Sequence, residues 1–381
     1  EEIEFPVKGS TRYEVVAGEQ PIEEAARLIN LAERPLLIGG SGVGWSDCGV
    51  ELIEFLEKTG TPTLLMNNGR GTVPDDHPLS LWEAGLTGML TAASMADVIV
   101  SVGVRFNWVL GFGAVFANAK LIRIDIDPAE VDRNRQADVA LIGDARAVLR
   151  QLNKRLEDKD RGEWLGTLRA AFEPLTGAER QQRETPADPI NPVRLVHLLR
   201  QATGDDPINI VDGGDTVYYG LTGLRAKERA GVIGSGLLFG CLGTGISFAI
   251  GAQVARPDRR VVLLSGDGSF GMNTMEFETA SRHCLPVVAV ICNDQAWGMV
   301  KHGHRLATGQ TGVCGTELGV VHYEKVVEAL GGHGEFVTRD DEIIPAIERA
   351  VESGKPACVN VITDPSVTSL ATIMFAEGFN F

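Results

Sequence analysis

The stretch 263–300, LLSGDGSFGMNTMEFETASRHCLPVVAVICNDQAWGMV, contains two apolar runs, and each run ends at an acidic turn. The first run leads into a Gly-Asp-Gly turn centred on Asp267, and the second leads into Asn293 and Asp294. Apolar runs of strand length on either side of a helical segment are typical of a βαβ unit with buried parallel strands. Ligands of such sheets bind beyond the carboxyl ends of the strands. The stretch therefore predicts a parallel α/β sheet whose binding site contains two acidic side chains.

The same alternation of apolar runs and helical patterns extends through most of the chain. It occupies residues 21–155 and, after a stretch dense in charge and proline at 156–188, residues 189–381. A chain of 381 residues is also too long for one ordinary core. We therefore predict two doubly wound parallel-sheet α/β domains. An interdomain segment at 1–20 precedes them, and the linker between them begins with a surface helix.

Composition excludes several classes of partner. The formal net charge is −16 and no basic stripe is visible, so a nucleic-acid partner is not expected. Six cysteines are scattered without a CxxC pair, which favours reduced, mostly buried thiols and a cytoplasmic location. The uncharged stretch 231–255 is long enough to cross a bilayer. Its many glycines fit a tight loop that enters a helix better, so no membrane partner is expected.

The two acidic turns predict a Mg²⁺ site. If their strands lie near each other, the carboxylates of Asp267 and Asp294 project into one crevice, where diphosphate oxygens could complete an octahedral shell of oxygen ligands. Glycines beside Asp267 allow close approach of a ligand, and Ser269 adds a hydroxyl and an amide. The alternative is that the first motif is only a tight turn and the second only a helix N-cap. The two motifs at this spacing are more specific than either alone.

Together, the two turns resemble the signature of thiamine-diphosphate (ThDP) enzymes, in which a Gly-Asp-Gly turn precedes an Asn-bearing strand end. The resemblance runs through the whole chain. Residues 39–149 look like the middle domain of the acetolactate synthase group, and residues 239–300 look like its diphosphate-binding domain. The resemblance implies a Rossmann-like middle domain followed by a ThDP diphosphate-binding domain. The pyrimidine-binding domain that precedes them in the family is expected to be absent from this sequence.

The resemblance also implies roles for individual residues. Asp267 and Asp294 would give Mg²⁺ their carboxylates, and Ala296 its backbone carbonyl. Relatives usually have Asn in place of Asp294, so this chain has an additional negative charge there. Gly240 and Leu242 would bracket the aminopyrimidine, and the Leu242 side chain, where relatives often have Met, would keep the cofactor bent. The residues assigned to the cofactor are Asp215, Thr216, Gly240, Leu242, Gly266, Gly268, Ser269, Trp297, Gly298 and Met299.

The catalytic glutamate of the family, which activates the cofactor, belongs to the pyrimidine-binding domain. No glutamate here matches its motif, and Glu83, Glu276 and Glu278 are not assigned to the role, so no catalytic residue is named. The chain alone, whether a fragment or a separate subunit, is expected to bind one half of the cofactor and to be inactive. Because active sites of the family form between subunits, the complete protein is expected to be a homodimer or homotetramer.

The resemblance implies a ThDP- and Mg²⁺-dependent carbon–carbon lyase or carboligase that acts on a 2-oxo acid, as acetolactate synthases do. The stretch SVGVRFNWVLGFG (101–113) resembles the oxalyl-CoA decarboxylase and 2-hydroxyacyl-CoA lyase branch, for which the substrate is an acyl-CoA. A third interpretation is a non-catalytic subunit that binds ThDP or a nucleotide. The middle domain of relatives binds FAD, ADP or nothing, and these alternatives stay open. Asp125 or Asp127 could hold an adenosine ribose.

Four further side chains could have either a functional role or a purely structural or solvent-exposed one. Trp108 and Phe112 either carry the resemblance to the acyl-CoA branch or are core aromatics. His302 and His304 could line the substrate entrance together with Lys301. Two histidines at this spacing on a basic loop are more often solvent-facing, which is the expectation here.

Overall fold

The computed structural model describes residues 14–236, 239–310 and 314–376, and its strands form two wholly parallel sheets. The first sheet contains β1 (Pro35–Gly39), β2 (Thr63–Leu65), β3 (Val98–Val102), β4 (Lys120–Asp125) and β5 (Val139–Ile142). The second contains β6 (Ile208–Asp212), β7 (Val232–Gly234), β8 (Val261–Gly266), β9 (Val288–Asn293), β10 (His333–Val337) and β11 (Ala357–Ile362).

Helices connect the strands of both sheets. Those around the first sheet are α1 (Glu19–Leu31), α2 (Ser41–Ser46), α3 (Gly49–Thr59), α4 (Gly85–Met95), α5 (Ala145–Asn153) and α6 (Gly162–Glu184). Those around the second are α7 (Pro192–Thr203), α8 (Asp215–Gly223), α9 (Gly245–Ala255), α10 (Asp267–Asn273), α11 (Phe277–Arg282), α12 (Gly298–Thr308), α13 (Tyr323–Ala329), α14 (Ile343–Glu352) and α15 (Leu370–Ala376). Short 3-10 helices include Trp82–Ala84 and Thr274–Glu276, and Trp108–Phe116 contains 3-10 turns interrupted by a kink at residues 110–113.

Strand order places a crevice at the carboxyl edge of each sheet. The first sheet has the order β2-β1-β3-β4-β5, and the second has the order β10-β11-β9-β8-β6-β7. In the first sheet, the strand that follows β1 pairs on one side of it and the next strand, β3, pairs on the other side. In the second sheet, β7 and β8 lie on opposite sides of β6 in the same way. The direction of strand order therefore reverses between β1 and β3 and between β6 and β8. Loops that leave such neighbouring strands diverge and open a binding crevice.

Each sheet is covered by helices on both faces because alternate strand residues point in opposite directions. In the first sheet, Leu37 packs in a cluster that includes Phe55 of α3, whereas Leu36 packs in a cluster that includes Leu168 of α6. All five residues of β1 are buried. This confirms the prediction of an α/β fold with two parallel-sheet domains whose strands are buried on both faces.

Three elements differ in detail from the sequence-based expectation. The helix expected after Asp267 is broken into α10, the 3-10 turn Thr274–Glu276 and α11. The edge strand β7 has only 3 residues and was not predicted. In the stretch predicted as a linker, Trp164 and Phe172 of α6 are buried against the first sheet. The domain boundaries themselves stay predictions.

The apolar stretch 231–255 forms β7 and, after a glycine-rich loop, α9. Helix α9 has 11 residues, too few to cross a bilayer. Across the part of the chain that the structure describes, no helix combines the length and the apolar character that a membrane span needs.

Candidate functional site

A cavity of about 750 Å³ is lined by loops at the carboxyl ends of strands from both sheets. Residues that follow β1, β3 and β4 line one end of it, and residues that follow β6, β8 and β9 line the other. All the residues that the sequence assigned to the metal or the cofactor lie on its wall: Asp215, Thr216, Gly240, Leu242, Gly266, Asp267, Gly268, Ser269, Asp294, Ala296, Trp297, Gly298 and Met299. The structure therefore brings the predicted site residues together at one place.

Two buried carboxyl groups meet at the second-sheet end of the cavity. Strands β8 and β9 are parallel neighbours, so the turns that follow them lie side by side. Asp267 is only 2% exposed, and its carboxyl group is within hydrogen-bonding reach of Asp294. Burial and then the charge of Asp294 raise the pKa of Asp267 to about 8. Burial also raises the pKa of Asp294. Such a pair keeps a proton until a cation replaces it.

The donor set at this pair fits a hard divalent cation. Asp294 is followed by a tight turn in which its carboxylate accepts a hydrogen bond from the Ala296 amide at 3.2 Å and Gln295 has a φ of 62°. Among the described residues, no group of three or more His, Cys, Asp or Glu side chains could hold a metal ion. Two carboxylates alone leave an octahedral shell open for a backbone carbonyl and for phosphate oxygens or waters, which is the arrangement that Mg²⁺ favours.

Glycines beside the acidic pair let Trp297 and Met299 pack closely against the backbone. A Cβ atom on Gly268 would lie 2.7 Å from the Trp297 ring, and one on Gly214 would lie 2.7 Å from Met299. Helices α8 and α12 both begin at the cavity wall, at Asp215 and Gly298. Free amides at the first turn of a helix attract anions, so these helix starts can hold phosphate groups next to the cation.

We expect Gly268→Ala to lower the affinity for ThDP by about tenfold or more, equivalent to about 1.4 kcal/mol. The new methyl group must displace the Trp297 ring, and overpacking of this kind costs about 1–3 kcal/mol. Fluorescence titration with ThDP in the presence of Mg²⁺ measures the change. Gly166→Ala on α6 is the matched control, because a Cβ there has no atom within 4 Å. Equal affinity of both variants would show that the cofactor does not approach Gly268.

The Asp215 side chain is directed into the protein. One of its carboxylate oxygens accepts hydrogen bonds from the hydroxyls of Ser369 and Thr372, and the other lies 3.0 Å from Nδ1 of His302. Both carboxylate oxygens of Asp215 therefore have partners within the protein. The expectation that His302 faces solvent is wrong, since its ring is 4% exposed in this network, whereas His304 on the same helix is exposed.

The first-sheet end of the cavity has the features of a nucleotide crevice. A Cβ on Gly40 would lie 2.4 Å from the carbonyl oxygen of Gly103, so the loops after β1 and β3 approach backbone to backbone. Asp125 and Asp127, at the end of β4 and just after it, line the cavity, and burial raises the pKa of Asp125. An acidic residue at this position can bind the hydroxyls of a ribose.

Trp108 and Phe112 of the 101–113 stretch are not core residues, whereas the third aromatic residue of the stretch, Phe106, is buried in the core. Trp108 is 48% exposed and lines the cavity, and Phe112 is 57% exposed. The alternative that both are core aromatics is therefore wrong. The expectation of mostly buried thiols is also only half right. All six cysteines are free, and Cys48, Cys292 and Cys358 are buried while the other three are exposed.

Sequence reasoning did not identify several residues of the cavity wall. Thr363, Asp364 and Val367 follow the last strand and line the cavity, as does Tyr218 of α8. No sequence motif marks these positions. They lie at the cavity because of the order of the strands in the sheet and the path of the chain after β11.

Two family models match the sequence. The model described as "Thiamine pyrophosphate enzyme, central domain" matches residues 22–152. The model described as "Thiamine pyrophosphate enzyme, C-terminal TPP binding domain" matches residues 212–361. The second match contains all the residues that the sequence assigned to the metal and the cofactor.

Curated relatives of the chain include acetolactate synthases and 2-hydroxyacyl-CoA lyases. The chain is 37% identical over 360 residues to a probable acetolactate synthase of Mycobacterium bovis, which covers 93% of the chain and 64% of the relative. It is 32% identical over 380 residues to a 2-hydroxyacyl-CoA lyase of Arabidopsis thaliana, covering 95% of the chain and 64% of the relative. It is 32% identical over 357 residues to the acetolactate synthase isozyme 2 large subunit of Escherichia coli, covering 92% and 64%. The chain thus spans less than two thirds of the length of these relatives.

Proposed function

Because this chain belongs to the thiamine pyrophosphate enzymes, we propose that the complete protein is a ThDP- and Mg²⁺-dependent carbon–carbon lyase or carboligase that acts on a 2-oxo acid. The observation that carries the proposal is the buried pair of Asp267 and Asp294 at the adjacent ends of β8 and β9. Two buried carboxyl groups side by side are unfavourable when both are ionised, unless a cation lies between them.

In this proposal, Asp267, Asp294 and the carbonyl of Ala296 would hold Mg²⁺ beside the diphosphate of the cofactor. The amides at the starts of α8 and α12 would bind the same diphosphate, and the absence of a side chain at Gly268 lets the Trp297 ring pack against this turn. When bound, ThDP supplies a nucleophilic carbon and accepts the electrons of the broken bond. The residues of this chain fix the position of the cofactor and exclude water around the diphosphate.

We further propose that the first-sheet end of the same cavity binds an adenine nucleotide, FAD or ADP. Gly40 and Gly103 line the cavity without side chains that would cover their backbone, and Asp125 and Asp127 can bind ribose hydroxyls. The absorption spectrum of the purified protein separates the two nucleotides. A flavin spectrum supports FAD, a colourless protein that binds ADP supports ADP, and no binding of either contradicts the proposal.

The second candidate function is that of a lyase or decarboxylase acting on an acyl-CoA. It is favoured by the similarity to the Arabidopsis thaliana 2-hydroxyacyl-CoA lyase and by Trp108, which lies on the cavity wall. A third candidate, a non-catalytic subunit that binds ThDP or a nucleotide, differs from both because it would bind cofactor without consuming any substrate.

The discriminating experiment is an assay of the natural full-length protein with ThDP and Mg²⁺. We expect consumption of a 2-oxo acid such as pyruvate and formation of acetolactate, dependent on both additions. Consumption of a 2-hydroxyacyl-CoA or oxalyl-CoA instead would support the second candidate. Cofactor binding without turnover of either class would support the non-catalytic subunit and contradict the proposed activity.

We propose that the complete protein is a homodimer or homotetramer in a reducing compartment, the cytoplasm. Large apolar side chains on α9, α10 and the turn after it are exposed in the single chain, namely Phe248 (44%), Val254 (63%), Met272 (52%) and Met275 (66%). Apolar surfaces of this kind commonly contact another subunit. Six free cysteines agree with a reducing location. Native mass spectrometry tests the subunit count.

A further inference from the structure

The chain that follows β11 forms part of the cavity wall and connects the two domains. We call residues 364–376 the C-terminal segment. Asp364 and Val367 of this segment line the cavity. At its far end, the Phe375 ring lies 4.9 Å from that of Trp108 in the first domain, and Met374 accepts a hydrogen bond from Thr87 of α4. The segment therefore forms part of the cavity wall near β11 and contacts the first domain at its far end.

One buried carboxylate holds the middle of the C-terminal segment. Asp215, the first residue of α8, accepts hydrogen bonds from the hydroxyls of Ser369 and Thr372, each at 2.5 Å. It also accepts one from the Ser369 amide at 3.3 Å and one from Nδ1 of His302 at 3.0 Å. All these groups are at least nine-tenths buried, so a lost partner is not replaced by water without cost.

The other side of the segment is held by the same histidine. Nε2 of His302 donates to the carbonyl oxygen of Pro365 at 2.9 Å, while Nδ1 faces the Asp215 carboxylate. Both partners accept hydrogen bonds, so both ring nitrogens must carry a proton and the ring is a cation. Burial of His302 lowers its pKa, but Asp215, the Pro365 carbonyl and Asp294 outweigh burial, and the pKa is raised. Burial raises the pKa of Asp215, but its donors outweigh burial and lower it.

We propose that Asp215 and His302 are positioning residues, a buried ion pair that fixes the C-terminal segment against α8 and α12 and so keeps the cavity wall at Val367 in place. The pair joins three parts of the chain: the start of α8, next to Thr216; α12, one turn after Met299; and the C-terminal segment. The expected effect of the ion pair on enzyme kinetics rests on the proposed function, whereas its expected effect on the conformation of the C-terminal segment does not.

The conformational test is hydrogen–deuterium exchange of the full chain in His302→Gln and Asp215→Asn. We expect amides of the C-terminal segment to exchange at least about tenfold faster in both variants, the equivalent of about 1.4 kcal/mol of lost local protection. His304→Gln is the matched control, since His304 lies on the same helix but is exposed, and its exchange should equal that of the natural chain. Unchanged exchange in both pair variants would overturn the proposal.

If a pair variant does not fold, Ser369→Ala combined with Thr372→Val removes the two hydroxyl donors to Asp215 from the segment side. Faster exchange confined to the C-terminal segment supports the proposal, and unchanged exchange overturns it. A pH series adds a readout that a packing role would not give. Asp215 from α8 and Asp294 after β9 are the charges that face His302. With exchange corrected for its intrinsic pH dependence, protection of the segment should fall as pH rises through the raised pKa of His302, and His302→Gln should lack this step.

In the active full-length enzyme, the same variants should raise KM for the substrate more than they lower kcat, because the wall moves while the acidic pair stays in place. Equal KM with slower turnover would overturn the positioning role. A protein that turns over none of the proposed substrates would contradict the proposed function. Hydrogen–deuterium exchange is measured without substrate, so its result would still decide whether the ion pair holds the C-terminal segment.

Discussion

Asp267→Ala is expected to lower Mg²⁺-dependent affinity for ThDP by about 100-fold or more, equivalent to about 2.8 kcal/mol. Asp267 is 2% exposed and, in the proposed site, supplies one of only two charged ligands of the metal. Without it, the diphosphate and Asp294 would face each other across a weakly held cation. Calorimetric titration with ThDP at fixed Mg²⁺ measures the loss.

Asp258→Ala is the matched control for this substitution. Asp258 belongs to the same domain, but its side chain is 62% exposed and pairs with Arg256 at the surface. The control should bind ThDP as the natural chain does. Unchanged affinity in Asp267→Ala would place the cofactor away from the ends of β8 and β9.

The pair of Asp267 and Asp294 makes the stability of the metal-free chain depend on pH. The pKa of Asp267 rises from an ordinary 3.8 to about 8 on folding, so the folded state binds the proton more tightly than the unfolded state. The contribution of Asp267 is therefore most favourable below pH 4 and is lost as pH rises towards 8. We expect the increase in melting temperature on adding Mg²⁺ to grow over this range, and to be absent in Asp267→Asn.

Arg70→Met is expected to destabilise the chain by about 3–5 kcal/mol, because it leaves the buried carboxylate of Asp75 without its partner. The side chains of this ion pair are 5% and 3% exposed. Arg70 also donates to the carbonyl oxygens of Leu221 at 2.7 Å and Leu224 at 3.0 Å, so the pair joins the first domain to the second. Urea unfolding followed by far-ultraviolet circular dichroism measures the change.

Replacing both partners, Arg70→Met with Asp75→Leu, should recover much of the lost stability, since no uncompensated charge remains. Arg27→Met is the surface control. Its partner Glu24 lies on the same helix, both side chains are about half exposed, and little change in stability is expected. A loss in Arg70→Met no larger than that in the surface control would show that the two domains do not depend on this ion pair.

The strands were predictable because buried parallel strands leave continuous apolar runs in the sequence, as at Val288–Asn293. Strand β7 was not, because 3 residues flanked by glycines give no pattern. The acidic pair was predictable as two turns, but their closeness depends on β8 and β9 being neighbours, and local sequence does not encode strand order. For that part of the site, resemblance to a family supplied what periodicity could not.

The network around His302 could not be predicted. Its partners Asp215 and Pro365 are separated from it by 87 and 63 positions along the chain, and no spacing rule connects them. Polarity alone predicted that both His302 and His304 would be exposed. His302 is buried because it forms an ion pair with Asp215. The exposure of Trp108 likewise depends on the space between the domains, which no single stretch of sequence determines.

The most direct test of the account is a crystal structure of the protein with ThDP and Mn²⁺ in place of Mg²⁺, with the metal located by its anomalous scattering. We predict one peak within metal–ligand distance of a carboxylate oxygen of Asp267, a carboxylate oxygen of Asp294 and the carbonyl oxygen of Ala296, with the diphosphate at the starts of α8 and α12. A peak elsewhere, or ThDP bound without metal at the ends of β8 and β9, would contradict the proposed site.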